Sequence, residues 1–156
     1  MKKWRLYLDT SVFGGCFDTD EGWDTDSRRV VDYCVDGKAL LLWTKTVEKE
    51  VMGAPEKVRI VYQEIAPEHR EAVPLSAEIM ALAQAYLDAR VVGAAWLEDC
   101  LHVAAATVAR ADAIVSWNFR HIVRLDRIRG FNAVNLAEGY GIITILSPKE
   151  VTIDEL

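Results

Sequence analysis

The sequence predicts an α/β fold: a three-layer α/β/α sandwich around a central, mainly parallel sheet. Short apolar runs recur at 5–9 (RLYLD), 39–43 (ALLLW), 113–117 (AIVSW) and 141–146 (GIITIL). Each is continuous rather than alternating, the mark of strands covered on both faces. Helical stretches separate the runs, as crossovers between parallel strands require.

The elements follow in order. Trp4, Leu6, Tyr7 and Leu8 open the first strand, which runs straight into Asp9, Thr10 and Ser11. A helix is expected over 24–36, polar at its start, with Val30, Val31, Cys34 and Val35 inside and Gly37 as its stop. After the second strand, TKTVEKEV starts a short helix near Thr44 that ends near Gly53, with Pro55 just beyond. Residues 54–75 hold three of the four prolines and are expected to form shorter helical pieces. Ser76 can cap a helix carrying Ile79, Leu82, Ala83 and Tyr86 at i, i+3, i+4 and i+7. A fourth helix is expected over 97–109, with Leu97, Leu101, Ala104, Ala105 and Val108 in register.

Composition bounds the rest. The 156 residues suffice for one domain, 1–156, with a substantial core. No apolar run nears the ~18 residues of a membrane span. Lys2 and Lys3 lead into a short strand and acids rather than a leader's apolar stretch, so no membrane and a cytoplasmic location are expected. Cys16, Cys34 and Cys100 are scattered singly, which points to reduced thiols rather than disulfides or a zinc site. A net charge of −6 argues against a nonspecific nucleic-acid coat. It leaves room for a local patch: Arg110, Arg120, Arg124, Arg127 and Arg129 face only Asp112 and Asp126 in the same stretch. That patch reads equally as a solvated helix face.

In open parallel sheets ligands sit beyond the carboxyl ends of the strands, so the residues there are the ones to weigh. Asp9 follows the first strand. A buried carboxylate is costly without a partner, so Asp9 is a helix cap, a group for something cationic, or both. Thr10 and Ser11 can cap locally or hold a metal-bound water. Glu48 and Glu50 follow the second strand. Val47 and Val51 mark the inward face there, both acids lie about 80° from its centre on opposite sides, and periodicity leaves them tied. Glu98 and Asp99 open the fourth helix. Residues 101–109 read LHVAAATVA, with His102 the one ionisable group, so close packing on several sides is expected. Asp99 then either sits exposed on the helix dipole or joins a site, and Glu98 is the more solvent-facing of the pair. Ser116, Asn118 and His121 follow the third strand; His121 reads equally as core or site, His102 as a hydrogen-bonded core residue and Trp117 as packing. Hard oxygen ligands without thiolates suit Mg²⁺ or Mn²⁺.

LYLDTSV, TKTVEKEV and DCLHVAAATVARADAIVSWNF, in this order and spacing, resemble the PIN domain family, metal-dependent ribonucleases that include VapC-like toxins of toxin–antitoxin pairs. The resemblance spans nearly the whole chain and implies a PIN-like sandwich. It places the family's metal-binding acids on Asp9, Glu50 and Asp99, which breaks the Glu48/Glu50 tie, with Thr44 where such domains often carry Ser or Thr. A fourth acid is common just after the third core strand; the corresponding positions here are Asn118 and His121, neither acidic.

The resemblance thus implies a hydrolase cutting RNA phosphodiesters with Mg²⁺ or Mn²⁺ on Asp9, Glu50 and Asp99. Asn118 completes the catalytic set, and Ser11, Arg120, His121, Arg124 and Arg127 are the substrate-binding candidates. Asp112 is expected to cap the strand entry. A cognate antitoxin and a homodimer are further implications. The alternative left open by Asn118 and His121 is a catalytically degenerate PIN domain that binds RNA or a protein. A phosphatase of the haloacid dehalogenase type also begins with Asp after strand one, but it requires a second Asp where this chain has Ser11.

Overall fold

The computed structural model describes residues 3–154. Lys2, part of the N-terminal stretch read above, lies outside them. Five strands form one sheet: β1 (Trp4–Leu8), β2 (Ala39–Trp43), β3 (Arg70–Ala72), β4 (Ala113–Val115) and β5 (Ile145–Leu146). Their order is β3-β2-β1-β4-β5 and every pairing is parallel, with Leu6 opposite Leu41 on one side and opposite Ala113 on the other. Seven helices connect them: α1 (Thr10–Gly15), α2 (Asp24–Val35), α3 (Lys45–Met52), α4 (Glu56–Gln63), α5 (Ala77–Asp88), α6 (Leu97–Val108) and α7 (Leu125–Ala137). Helix α1 packs on α2, α3 and α4, while α5 packs on α6 and α7. The sheet lies flanked by these helices, and the α/β/α sandwich expected from the sequence is the observed fold.

The central strands owe their continuous apolar character to burial on both faces. Leu6, Tyr7, Leu8, Leu41, Leu42, Ile114 and Val115 are all buried. Helix α6 explains its own alanines: Cys100 and residues 102–107 are buried, which requires small side chains where neighbours approach from several sides. Thr44 caps α3 by accepting from the Val47 amide at 3.3 Å, and Ser76 caps α5 by accepting from the Ile79 amide at 3.2 Å. Both caps satisfy first-turn donors that a helix leaves unpaired.

Two elements differ from the sequence reading. Residues 54–75 hold α4 and a 3-10 turn (Pro67–His69), but also the edge strand β3. Its sequence, REA, has no apolar run; it becomes a strand by pairing with β2, and Arg5 bridges to Glu71 at 2.8 Å. Short, charged edge strands discourage unwanted pairing. Helix α7 was not anticipated, since it buries only Phe131 and Asn135 and so shows no apolar stripe. The last strand is shorter than 141–146, with only Ile145 and Leu146 paired to β4.

The topology fixes where a site can form. The chain leaves β1 toward β2 and β3 on one side, then returns to β4 and β5 on the other. The strand order therefore reverses between β1 and β4, where an open parallel sheet leaves a crevice at its carboxyl edge. Asp9 ends β1 there, and Ser116, Trp117 and Asn118 leave β4 beside it. Among the described residues, no helix is long and apolar enough to cross a membrane.

Candidate functional site

Asp9 lies at the switch point, only 6% exposed. Its Oδ1 accepts from the Ser11 amide at 3.1 Å and from the Ser11 hydroxyl; its Oδ2 accepts from Ser116 Oγ at 2.6 Å. Asp9 is thus the N-cap of α1, and it is also bound across the crevice to the end of β4. Burial pushes its carboxyl above the usual range, more than the His102 charge and the serine donors pull it back. Ser11 works twice, since its Oγ also accepts from the Trp117 amide at 2.9 Å.

Glu50, not Glu48, faces this region. Thr10 Oγ1 donates to Glu50 Oε2, and Glu50 Oε1 lies 3.6 Å from His102 Nε2. Contact with His102, then the Thr10 bond, holds the Glu50 carboxyl below the usual range against the opposing effect of burial. Glu48 instead lies close enough to Tyr62 to act on its hydroxyl. His102 is 5% exposed, and its Nδ1 meets the Tyr7 hydroxyl at 2.7 Å, which in turn lies 3.3 Å from Thr44 Oγ1. Burial opposes charge on His102, but Glu50, Asp9 and Asp99 together outweigh it and raise the imidazole's pKa. His102 is a hydrogen-bonded interior histidine, as its place on an Ala-rich helix implied. All three carboxylates act on it.

Asp99 stands in the first turn of α6. Asn118 Nδ2 donates to its Oδ1 at 3.3 Å, and His121 Nδ1 lies 3.0 Å from its Oδ2. Asn118 Oδ1 is itself occupied by the backbone amides of Arg120 at 3.2 Å and His121 at 2.9 Å. Asn118 therefore clasps the β4–α7 loop and the Asp99 carboxylate at once. Glu98 is exposed. Asp112 is at the opposite end of the sheet, where its Oδ2 accepts from the Arg5 amide at 2.8 Å.

The arginines divide. Arg120 is exposed, with its guanidinium 5.7 Å from the centre of the Trp96 ring. Arg124 is exposed and pairs with Asp126 at 2.9 Å. Arg127 turns inward: its Nη1 donates to the Val91 carbonyl, and its Nε is buried without a hydrogen-bond partner. A surface depression of about 620 Å³ between Arg28, Asp32, Tyr33 and Lys38 is lined by none of the candidate residues.

The donor chemistry of Asp9, Glu50 and Asp99 fits a hard divalent cation: three carboxylates, each with acceptor capacity beyond its present bonds. The buried, neutral-donor setting of Asp9 gives the same indication, because a cation at its oxygens would offset the cost of burying its charge. The three are not drawn into one ligand shell, however. Among the described residues, no group of three or more His, Cys, Asp or Glu side chains is arranged to hold a metal ion.

Three participants escaped the sequence reading. Tyr7 looked like a plain strand residue, and only its facing of His102 reveals its role. Trp96 and Phe119 are exposed aromatics beside the site. Trp96 stacks on His121 with ring centres 4.1 Å apart. Their signal was present in the sequence, since both sit within three residues of a site candidate, but aromatic residues there read equally as packing.

No protein-family model matches the sequence, and no curated protein matches it significantly. Among solved structures, the VapBC2 complex from Rickettsia felis, crystallised with a DNA fragment from its promoter, is similar over 92% of this chain and 98% of that one. The TM-score is 0.56 and the identity 11%. A likeness at that identity speaks for the fold, and it agrees with the sheet order and the flanking helices: the chain has a PIN-like fold.

Proposed function

We propose that the protein is an endoribonuclease dependent on Mg²⁺ or Mn²⁺, acting as the toxin of a type II toxin–antitoxin pair in the cytoplasm. The observation that supports this reading is the hydrogen-bond chain at the carboxyl edge of the sheet that links Asp9 to Ser116, Ser116 to Asn118 and Asn118 to Asp99, with Thr10 beside Asp9 bonded to Glu50. In this reading those three hold the cation. When bound, the ion lowers the pKa of a water and neutralises charge on the phosphate oxygens.

The chain's other residues set those ligands. Ser11 and Ser116 fix the Asp9 carboxylate, and Thr10 and His102 fix that of Glu50. Asn118 and His121 orient Asp99, so Asn118 acts by positioning. Arg120 and Arg124 are the cations exposed to meet an RNA backbone, whereas Arg127 is engaged with Val91. A cognate antitoxin and a homodimer belong to the same proposal; the solved VapBC2 complex supports the first by analogy of fold.

A second reading has its own support. Both oxygens of Asp99 are engaged by Asn118 and His121, and the acids do not form one shell, as suits a domain that binds RNA or protein without cutting. RNA incubated with Mn²⁺, with chelator, and with Asp9→Asn protein separates the two. The nuclease reading expects cleavage that chelator abolishes. It expects Asp9→Asn to reduce cleavage by at least ~10–100-fold, the usual cost of disturbing even an outer partner of a metal ligand. RNA binding without cleavage supports the second reading, and cleavage surviving in Asp9→Asn removes the metal site.

A further inference from the structure

We propose that Trp96 and Phe119, beside the acid site, are two stacking platforms for unpaired nucleobases, so that the substrate lies along it as a single strand. The proposal deepens the ribonuclease reading and rests on it for the identity of the strand that crosses the site.

Both rings are exposed, Trp96 by 40% and Phe119 by 44%, although other aromatics of the same region are packed away. Trp117, 3% exposed, stacks on Trp23 with centres 4.3 Å apart and planes 2° from parallel, and its Nε1 donates to Ser27 Oγ at 2.7 Å. Phe119 meets both indoles in T-shaped contacts with centres 6.0 Å apart, so they support it while much of the ring stays open to solvent. Trp96 lies on His121, with centres 4.1 Å apart. Each platform is thus rigidly backed, which limits the ordering cost of binding.

Each is also wired to a different acid. His121 beneath Trp96 holds Asp99 Oδ2 at 3.0 Å. The Trp117 amide, next to Phe119, donates to Ser11 Oγ, which binds Asp9. Asn118 sits between, with its amide on Ser116 Oγ at 2.9 Å and its side chain on Asp99. The loop after β4 sends Asn118 and His121 inward and Phe119 and Arg120 outward. Arg120 adds an exposed cation over Trp96, in a protein whose net charge is −6. Flat aromatic faces beside an arginine, next to the candidate cation site, match an unpaired polynucleotide: bases stack, and the arginine meets the backbone.

The test compares an eight-nucleotide oligouridine with an abasic ribose-phosphate chain of the same length and charge, by fluorescence anisotropy in chelator. The expected result is tighter binding of oligouridine by about tenfold, the scale of one or two stacked bases. Trp96→Leu and Phe119→Leu should each lose most of that preference, and Trp96→Phe should keep it. Phe119→Leu gives up only T-shaped contacts, so it carries the test should Trp96→Leu unfold. Equal affinity for the two chains, or an unchanged preference in the leucine variants, overturns the proposal. Failure of both chains to bind overturns it too and assigns the face to a protein partner. A base preference without Mn²⁺-dependent cleavage upholds the platforms and removes the nuclease reading alone.

Discussion

Asp9 sits where burial works against its charge. Its carboxyl is raised above the ordinary 3.8, so the folded protein holds the proton more tightly than the unfolded chain does. That preference stabilises the fold below pH 3.8 and is lost as pH rises through the folded-state value, so ionising Asp9 costs the metal-free protein stability. Asp9→Asn should therefore raise the metal-free melting temperature increasingly toward the alkaline end of a pH series, by about 2–4 °C for each kcal/mol recovered. The same variant should lose the stabilisation that Mn²⁺ gives the wild type, and thermal scans with and without metal measure both. Tyr7→Phe tests the next residue inward. It leaves His102 Nδ1 buried without its 2.7 Å partner and should cost about 1–3 kcal/mol, read from denaturant unfolding.

The helix and loop that carry the site depend on one close approach. Gly15, in α1, has Trp117 Nε1 only 2.6 Å from where a Cβ would stand, with Ser27 Oγ as close. Gly15→Ala must push the indole off Ser27 and out of its stack on Trp23. The expected cost is about 1–3 kcal/mol in chemical unfolding, the scale of overpacking in a filled core.

How far the elements could be read from sequence follows from their packing. The inner strands were legible because burial on both faces leaves an unbroken apolar run, and α3 and α5 because Thr44 and Ser76 cap them. Strand β3 was not, since an edge strand of three polar or small residues is created by its neighbour's backbone. Helix α7 buries too little to print a stripe. The position of Asp9 after the first strand foretold a cap or a cation group, and it is the cap of α1; position alone left Asp99 open between the helix dipole and a site. Periodicity could not break the Glu48/Glu50 tie, because the two acids flank the buried face symmetrically; the resemblance chose Glu50, and in the fold the approach of Thr10 and His102 to α3 sets it apart. The inward turn of Arg127 was equally hidden: an arginine bonding a distant carbonyl reads like one facing solvent.

At the scale of the whole molecule, the proposed RNA binding requires exposed cations at the site of an acidic protein. The net charge of −6 repels a polynucleotide at a distance, so binding should be short-ranged and depend on the exposed arginines of the β4–α7 loop. Arg120→Gln should weaken RNA binding across sequences and lower the slope of log affinity against log salt by about 1. Arg127→Gln should leave that slope unchanged and act on stability. Salt titrations of the two variants distinguish these outcomes.

The central claim is that Asp9, Glu50 and Asp99 together take up a divalent cation, and calorimetric titration of Mn²⁺ into metal-free protein, beside an Asp99→Asn variant, tests it most directly. The account expects saturable binding in the wild type that the variant loses. No binding at millimolar Mn²⁺, or binding that Asp99→Asn leaves intact, would contradict it.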